Sequence, residues 1–97
     1  LLGGATKDVL PAYVTGNLTE RHLAEGFRSV KIALPHGPAD GEEGLRANEA
    51  LIRATRDRIG PEGDLMIDCY MALTVPYAIE LARRLRDYRL HWMEEPL

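Results

Sequence analysis

Hydrophobic positions along this chain follow two alternating rhythms. Short apolar runs and period-two alternation predict strands, while apolar residues recurring every three or four positions predict helices. Residues 9–16 form the first candidate strand, with Pro11 near its start and Gly16 and Asn17 closing it. Residues 18–25 predict a short helix with Thr19 as N-cap, the acid Glu20 in its first turn and Gly26 past its end. Residues 27–34 predict a second strand, in which Val30 and Ile32 share one face and Lys31 and Ala33 the other. A turn-rich loop, 35–41, leads into a helix ending near Ile59. Asp40 and Glu43 have the spacing of a capping box, Leu45, Ile52 and Ile59 lie on one stripe, and Gly60-Pro61 stops the helix. Residues 65–70 predict the third strand. Thr74 then caps a helix reaching about Tyr88, with Pro76 in its first turn. Its apolar face is Val75, Ala78, Leu81, Ala82, Leu85 and Tyr88, and its wet face Glu80, Arg83, Arg84, Arg86 and Asp87. Residues 90–94 predict the fourth strand.

The order β-α-β-α-β-α-β argues for an α/β fold with a parallel sheet and right-handed crossovers. Two architectures fit: half of an eight-stranded β/α barrel, or a small open doubly wound sheet. The similar plan of the three βα pieces suits the barrel.

Asp68 breaks the apolar pattern, because it follows Leu65, Met66 and Ile67 directly. A carboxylate there is costly unless something positive meets it. The stretch His91-Trp92-Met93-Glu94-Glu95 repeats the design. In either architecture ligands bind at the C-terminal strand ends. Adjacent parallel strands lie about 4.8 Å apart, so Asp68 and Glu94 could share one cation. All-oxygen ligation favours a hard metal such as Mg²⁺. Without a cation, like charges so close would raise one pKa. The plainer alternative is that each acid is a cap or a solvated loop residue. Glu95 competes with Glu94, although alternation puts Glu94 on the face of Trp92 and Glu95 on that of Met93.

Lys31 reads first as a strand lysine facing solvent between helices. If its face points into a barrel, its ammonium sits near both acids as a proton-transfer or charge-neutralising group. His36, on the loop after the second strand, has the right rim for substrate contact. Tyr70 follows Asp68 on the same strand face, where its hydroxyl could reach a substrate. Cys69 points the other way, as a small core residue. His22 is expected on a helix surface and His91 at a strand edge.

Composition narrows the class. The 97 residues carry a formal net charge of −3 and no basic cluster, which gives nucleic-acid binding no support. The lone Cys69 excludes a disulfide framework and points to a reducing, cytoplasmic compartment. No apolar run approaches the ~20 residues of a membrane span, and no signal-peptide pattern opens the chain. The chain starts without Met and stops at Leu97 straight after a strand, so both ends are expected to be cut from something longer. Gly-rich phosphate loops, G-x-S-x-G elbows and zinc spacings are missing from the sequence.

Three segments give the chain a resemblance: Gly26-Phe27-Arg28-Ser29-Val30-Lys31, Met66-Ile67-Asp68 and Trp92-Met93-Glu94-Glu95-Pro96. It resembles the barrel domain of the enolase superfamily, in the mandelate racemase-like branch. The twenty-six-residue step from Asp68 to Glu94 matches the family's step between its first two metal ligands, which selects Glu94 over Glu95. More narrowly it is similar to L-rhamnonate dehydratases. Leu2-Gly3-Gly4, Ala12-Tyr13-Val14-Thr15-Gly16, the run from His36 to Arg46 and Asp68-Cys69-Tyr70-Met71-Ala72-Leu73 carry that likeness.

The resemblance implies a partial (β/α)8 barrel covering the whole chain, residues 1–97, as the N-terminal half of the barrel domain. The capping domain and later strands would lie outside it. It implies Mg²⁺ held by Asp68, Glu94 and a third acid beyond Leu97. The activity would be a hydro-lyase one on a small acid sugar. The metal grips the substrate carboxylate, the α-proton leaves to give an enediolate, and water is lost to form a 2-keto-3-deoxy acid. A homo-oligomer with neither nucleic-acid nor membrane partners is implied as well. Racemase-type members carry Lys-x-Lys on the second strand, whereas this chain has Lys31-Ile32-Ala33. One base is therefore missing, which fits dehydratases whose base is a His-Asp pair on later strands. Lys31 would then help electrostatically. Two alternatives stay open: another acid sugar dehydratase of the superfamily, or a non-catalytic barrel fragment acting as an interaction module.

Overall fold

A computed structural model describes residues 3–97; Leu1 and Leu2, and with Leu2 part of the Leu2-Gly3-Gly4 segment, lie outside the described residues. Four strands pair in sequence order, all parallel: β1 (Val14–Thr15), β2 (Val30–Ala33), β3 (Leu65–Asp68) and β4 (Leu90–Glu94). The helices α1 (Thr19–Ala24), α2 (Gly41–Ile59) and α3 (Val75–Leu85) make the crossovers. The expected α/β class therefore holds, and the four-strand arc with its helices is part of a (β/α)8 barrel.

One face of the sheet meets the helices. Val30, Ile32, Leu65, Ile67 and Cys69 pack there against Leu45 and Ile52 of α2 and Leu81 and Leu85 of α3, all buried. Each such aliphatic side chain contributes about 1.5–3 kcal/mol on burial, so this layer fixes which way every strand faces. Because strand side chains alternate, the same choice turns Lys31, Met66, Asp68 and Trp92 to the opposite face.

The elements are shorter than the hydrophobic pattern predicts, for identifiable reasons. Residues 9–13 do not join the ladder: Pro11 lacks an N–H, and Val9 and Leu10 stand in solvent. Asn17 extends the pairing of β1 with its side chain instead. Its Nδ2 donates to Ala33 O at 3.0 Å, and its Oδ1 accepts from Ala33 N at 2.8 Å. β3 ends at Asp68 rather than at residue 70, because Tyr70 and Met71 turn the chain with φ of 51° and 54°. Thr19 is the first residue of α1 and buried, so it does not act as the cap. Asp40 reaches backward: its Oδ2 accepts from Gly37 N at 2.9 Å across a 3₁₀ turn, Pro38–Asp40, and it does not cap α2 with its side chain. Thr74 sits at the N-cap of α3 in extended backbone, without a side-chain capping bond. A 3₁₀ turn, Arg86–Tyr88, finishes α3. Val75 and Ala82 of the predicted apolar face are exposed, whereas Arg84 of the wet face is half-buried and grips Glu42 of α2 through both oxygens. Among the described residues no helix is long and apolar enough to cross a membrane.

Candidate active site

β4 carries an irregularity that decides which acid faces the site. Leu65 pairs with Leu90, but Met66 pairs with Trp92, so His91 is the extra residue of a bulge. Leu90 and Met93 can therefore both pack against the core although they are three positions apart. The shift turns Trp92 and Glu94 to the face of Met66 and Asp68. Glu94 is then the register partner of Asp68, which in turn pairs with Ala33. Glu95 lies past the strand, exposed, with φ of 43°.

Lys31 rises from β2 on this same face and is only 8% exposed, as is Asp68. The reading of Lys31 as a solvent-facing lysine between helices is thus corrected: the helix side is filled by Val30 and Ile32, so alternation leaves Lys31 the acid side. Its Nζ donates to Glu94 Oε2 at 2.8 Å and lies 3.5 Å from Asp68 Oδ2. The Trp92 indole N–H donates to the same Oε2 at 3.2 Å. Tyr13 completes the wall, with its ring edge-on to Trp92 at 5.4 Å and under the Lys31 ammonium at 5.9 Å. Asp68 Oδ1 accepts from the Tyr70 backbone N–H at 3.1 Å.

Electrostatics follow from these contacts. The hydrogen bond to Glu94 holds the Lys31 ammonium above its ordinary pKa, against the opposing effect of burial. The bonds from Lys31 and then Trp92 hold the Glu94 carboxyl below the usual carboxylate range. The expected rise from two neighbouring acids does not occur at Glu94, because the lysine supplies the positive charge.

The other candidates lie elsewhere. Tyr70 is past the strand and 58% exposed, so it does not follow Asp68 on the strand face. Its backbone holds Asp68, and among the described residues its hydroxyl bonds to none of the cluster. His36 is tied to α2: Asn48, fully buried, bonds its N–H and C=O, and its Nδ1 is 3.5 Å from Asp40. Among the described residues it makes no bond to Lys31, Asp68 or Glu94. Cys69 is a core residue, its thiol pushed up to about 11, mainly by burial. His22 is not a surface residue. Its side chain is 12% exposed, its Nδ1 lies 3.7 Å from Glu25 Oε2, and among the described residues neither ring nitrogen has a hydrogen-bond partner. His91 lies 3.9 Å from Asp64 and tilts against Trp92.

Tyr13 and Trp92 are the site residues that motif reasoning passed over. Parity already puts Trp92 on the face of Glu94, and could have found Tyr13, which is two before Thr15, the residue that pairs with Lys31.

The donor set fits part of a hard-cation shell. Both carboxylates already converge on one positive atom, Lys31 Nζ, so both can reach a common cation. Among the described residues no third Asp, Glu, His or Cys joins them, and an octahedral ion would take its other oxygens from outside this cluster.

Parallel strands present a lysine and two acids at one rim of a partial β/α barrel. The chain belongs to the enolase C-terminal domain-like family, whose model matches residues 15–97. It is 45% identical over 97 residues to the L-rhamnonate dehydratase of Saccharopolyspora erythraea, which covers 100% of this chain and 25% of that protein. The crystal structure of rhamnonate dehydratase from Gibberella zeae complexed with Mg superposes with a TM-score of 0.87 at 45% identity, over 98% of this chain and 23% of that one. A racemase from Streptomyces coelicolor A3(2) with bound magnesium gives 0.74 at 34% identity, over 90% of this chain and 28% of that one. The chain spans about a quarter of the length of these relatives.

Proposed function

We propose that this chain is the first half of the barrel of a Mg²⁺-dependent acid sugar dehydratase acting on an L-rhamnonate-like substrate. The likeness to the dehydratase of Saccharopolyspora erythraea along the whole chain supports the substrate class. One observation carries the chemistry: Asp68 and Glu94 are register partners on adjacent strand ends, and both reach one positive centre.

Asp68 and Glu94 would hold the metal, with Asp68 oriented by the Tyr70 N–H and Glu94 by the Trp92 indole. When bound, Mg²⁺ supplies positive charge where negative charge develops as the α-proton of the substrate leaves. Glu94 stays ionised at neutral pH because Lys31 and Trp92 donate to it. Lys31 offers an ammonium to the substrate carboxylate, and Tyr13 and Trp92 shield that pairing from water on one side. Ala33 stands beside Asp68 with only a methyl group, so this strand presents a single amine. That suits proton removal from one face of the substrate followed by loss of water, with the base supplied by a later part of the barrel.

In the full-length protein, Asp68→Asn and Glu94→Gln are each expected to lower kcat/KM for L-rhamnonate at least about a hundredfold. This is the size of loss that follows when a group stabilising developing charge is removed. Wild-type rates in either variant, measured at saturating Mg²⁺, would overturn the reading.

A further inference from the structure

We infer that Lys31 is a tethered counter-ion that competes with the divalent cation for Glu94 and retreats over the Tyr13 ring when the metal enters. The inference rests on the metal-site reading above.

Three observations carry it. First, the Lys31 ammonium bonds Glu94 Oε2 at 2.8 Å and lies 3.5 Å from Asp68 Oδ2, so it occupies the space between the two donors that a shared cation needs. Two positive centres that close repel strongly where water is scarce, and Lys31 is only 8% exposed. Second, Oε2 already accepts from the Trp92 indole at 3.2 Å. A metal bond to that oxygen must therefore displace the mobile donor, the lysine, rather than the rigid one. Third, the ammonium has somewhere to go. Tyr13 presents its ring 5.9 Å from Nζ and is braced edge-on by Trp92, which gives a displaced ammonium a cation–π platform. A four-carbon stem permits the swing.

Lys31 would thus offset one of the two negative charges in the metal-free protein, at the expense of metal affinity. Titrating MgCl₂ alone into the full-length protein by calorimetry tests this without any turnover. Lys31→Met is expected to bind Mg²⁺ at least tenfold more tightly than wild type, and Lys31→Arg to restore weaker binding. Tyr13→Leu is expected to weaken Mg²⁺ binding when Lys31 is present and to leave it unchanged in the Lys31→Met background. A merely structural Tyr13 would not show that dependence. If Lys31→Met fails to fold, Lys31→Gln serves in its place. Equal or weaker binding by the Lys31→Met protein overturns the inference and leaves the metal site standing. Absence of Mg²⁺ binding in both proteins overturns the metal site as well.

Discussion

Lys31 and Glu94 hold each other ionised, and the linkage predicts how the pair responds to pH. The carboxyl is held below its ordinary 4.5, so its contribution is full above that value and is lost as pH falls through the depressed one. The ammonium is held above its ordinary 10.5, so its contribution is full below that value and is lost as pH rises through the raised one. The difference in unfolding temperature between wild type and Lys31→Met, measured without metal, is therefore expected to be flat between those limits and to shrink outside both. A difference independent of pH would show that the pair does not stabilise the fold. At this scale the acids were legible, because a charged residue inside an apolar run is conspicuous. The orientation of Lys31 was not. A lysine on a short strand between two turns gives no local sign of which face is filled, and only the packing of Val30 and Ile32 against Ile52 and Leu81 decides it.

Strand and helix lengths were overestimated wherever the backbone turned for reasons the hydrophobic pattern does not encode. Tyr70 and Met71 are ordinary strand residues by composition, yet both adopt left-handed φ at the turn out of β3. The bulge at His91 is equally silent, although it selects Glu94 over Glu95. Arg56 is a further case. Within α2 it reads as one more solvated charge, but its guanidinium donates to four backbone carbonyls: Tyr88 and Arg89 before β4, and Gly60 and Gly63 before β3. It therefore anchors the two loops that feed the acid-bearing strands. Arg56→Ala leaves those carbonyls without it and is expected to cost about 3 kcal/mol in urea unfolding, given that hydrogen bonds to charged donors contribute about 1.5–3 kcal/mol each and do not add. Arg56→Lys is expected to recover less than half, because one ammonium cannot span the same fork of acceptors. A loss below about 0.5 kcal/mol, typical of a surface residue, would contradict the clamp.

As a whole, the molecule is an arc of parallel ribbon with one face filled by helices and the other carrying Lys31, Asp68 and Glu94. The alternation of strand and helix made the arc legible from sequence. It left open the choice between a barrel and an open sheet, which turns on contacts between distant segments. Among the described residues β1 and β4 each have one strand neighbour, at opposite edges of the sheet. The acid cluster is equally partial, with two carboxylates from adjacent strands and no third acid within reach among the described residues. Anomalous diffraction from crystals of the full-length protein soaked in Mn²⁺, a stand-in for Mg²⁺, tests the central claim most directly. The account predicts one ion bonded to an oxygen of Asp68 and an oxygen of Glu94, at the roughly 2.0–2.2 Å expected of small hard cations, with the Lys31 ammonium moved off Glu94. An ion bound without either of these residues, or none at all with Lys31 still bridging both acids, would contradict it.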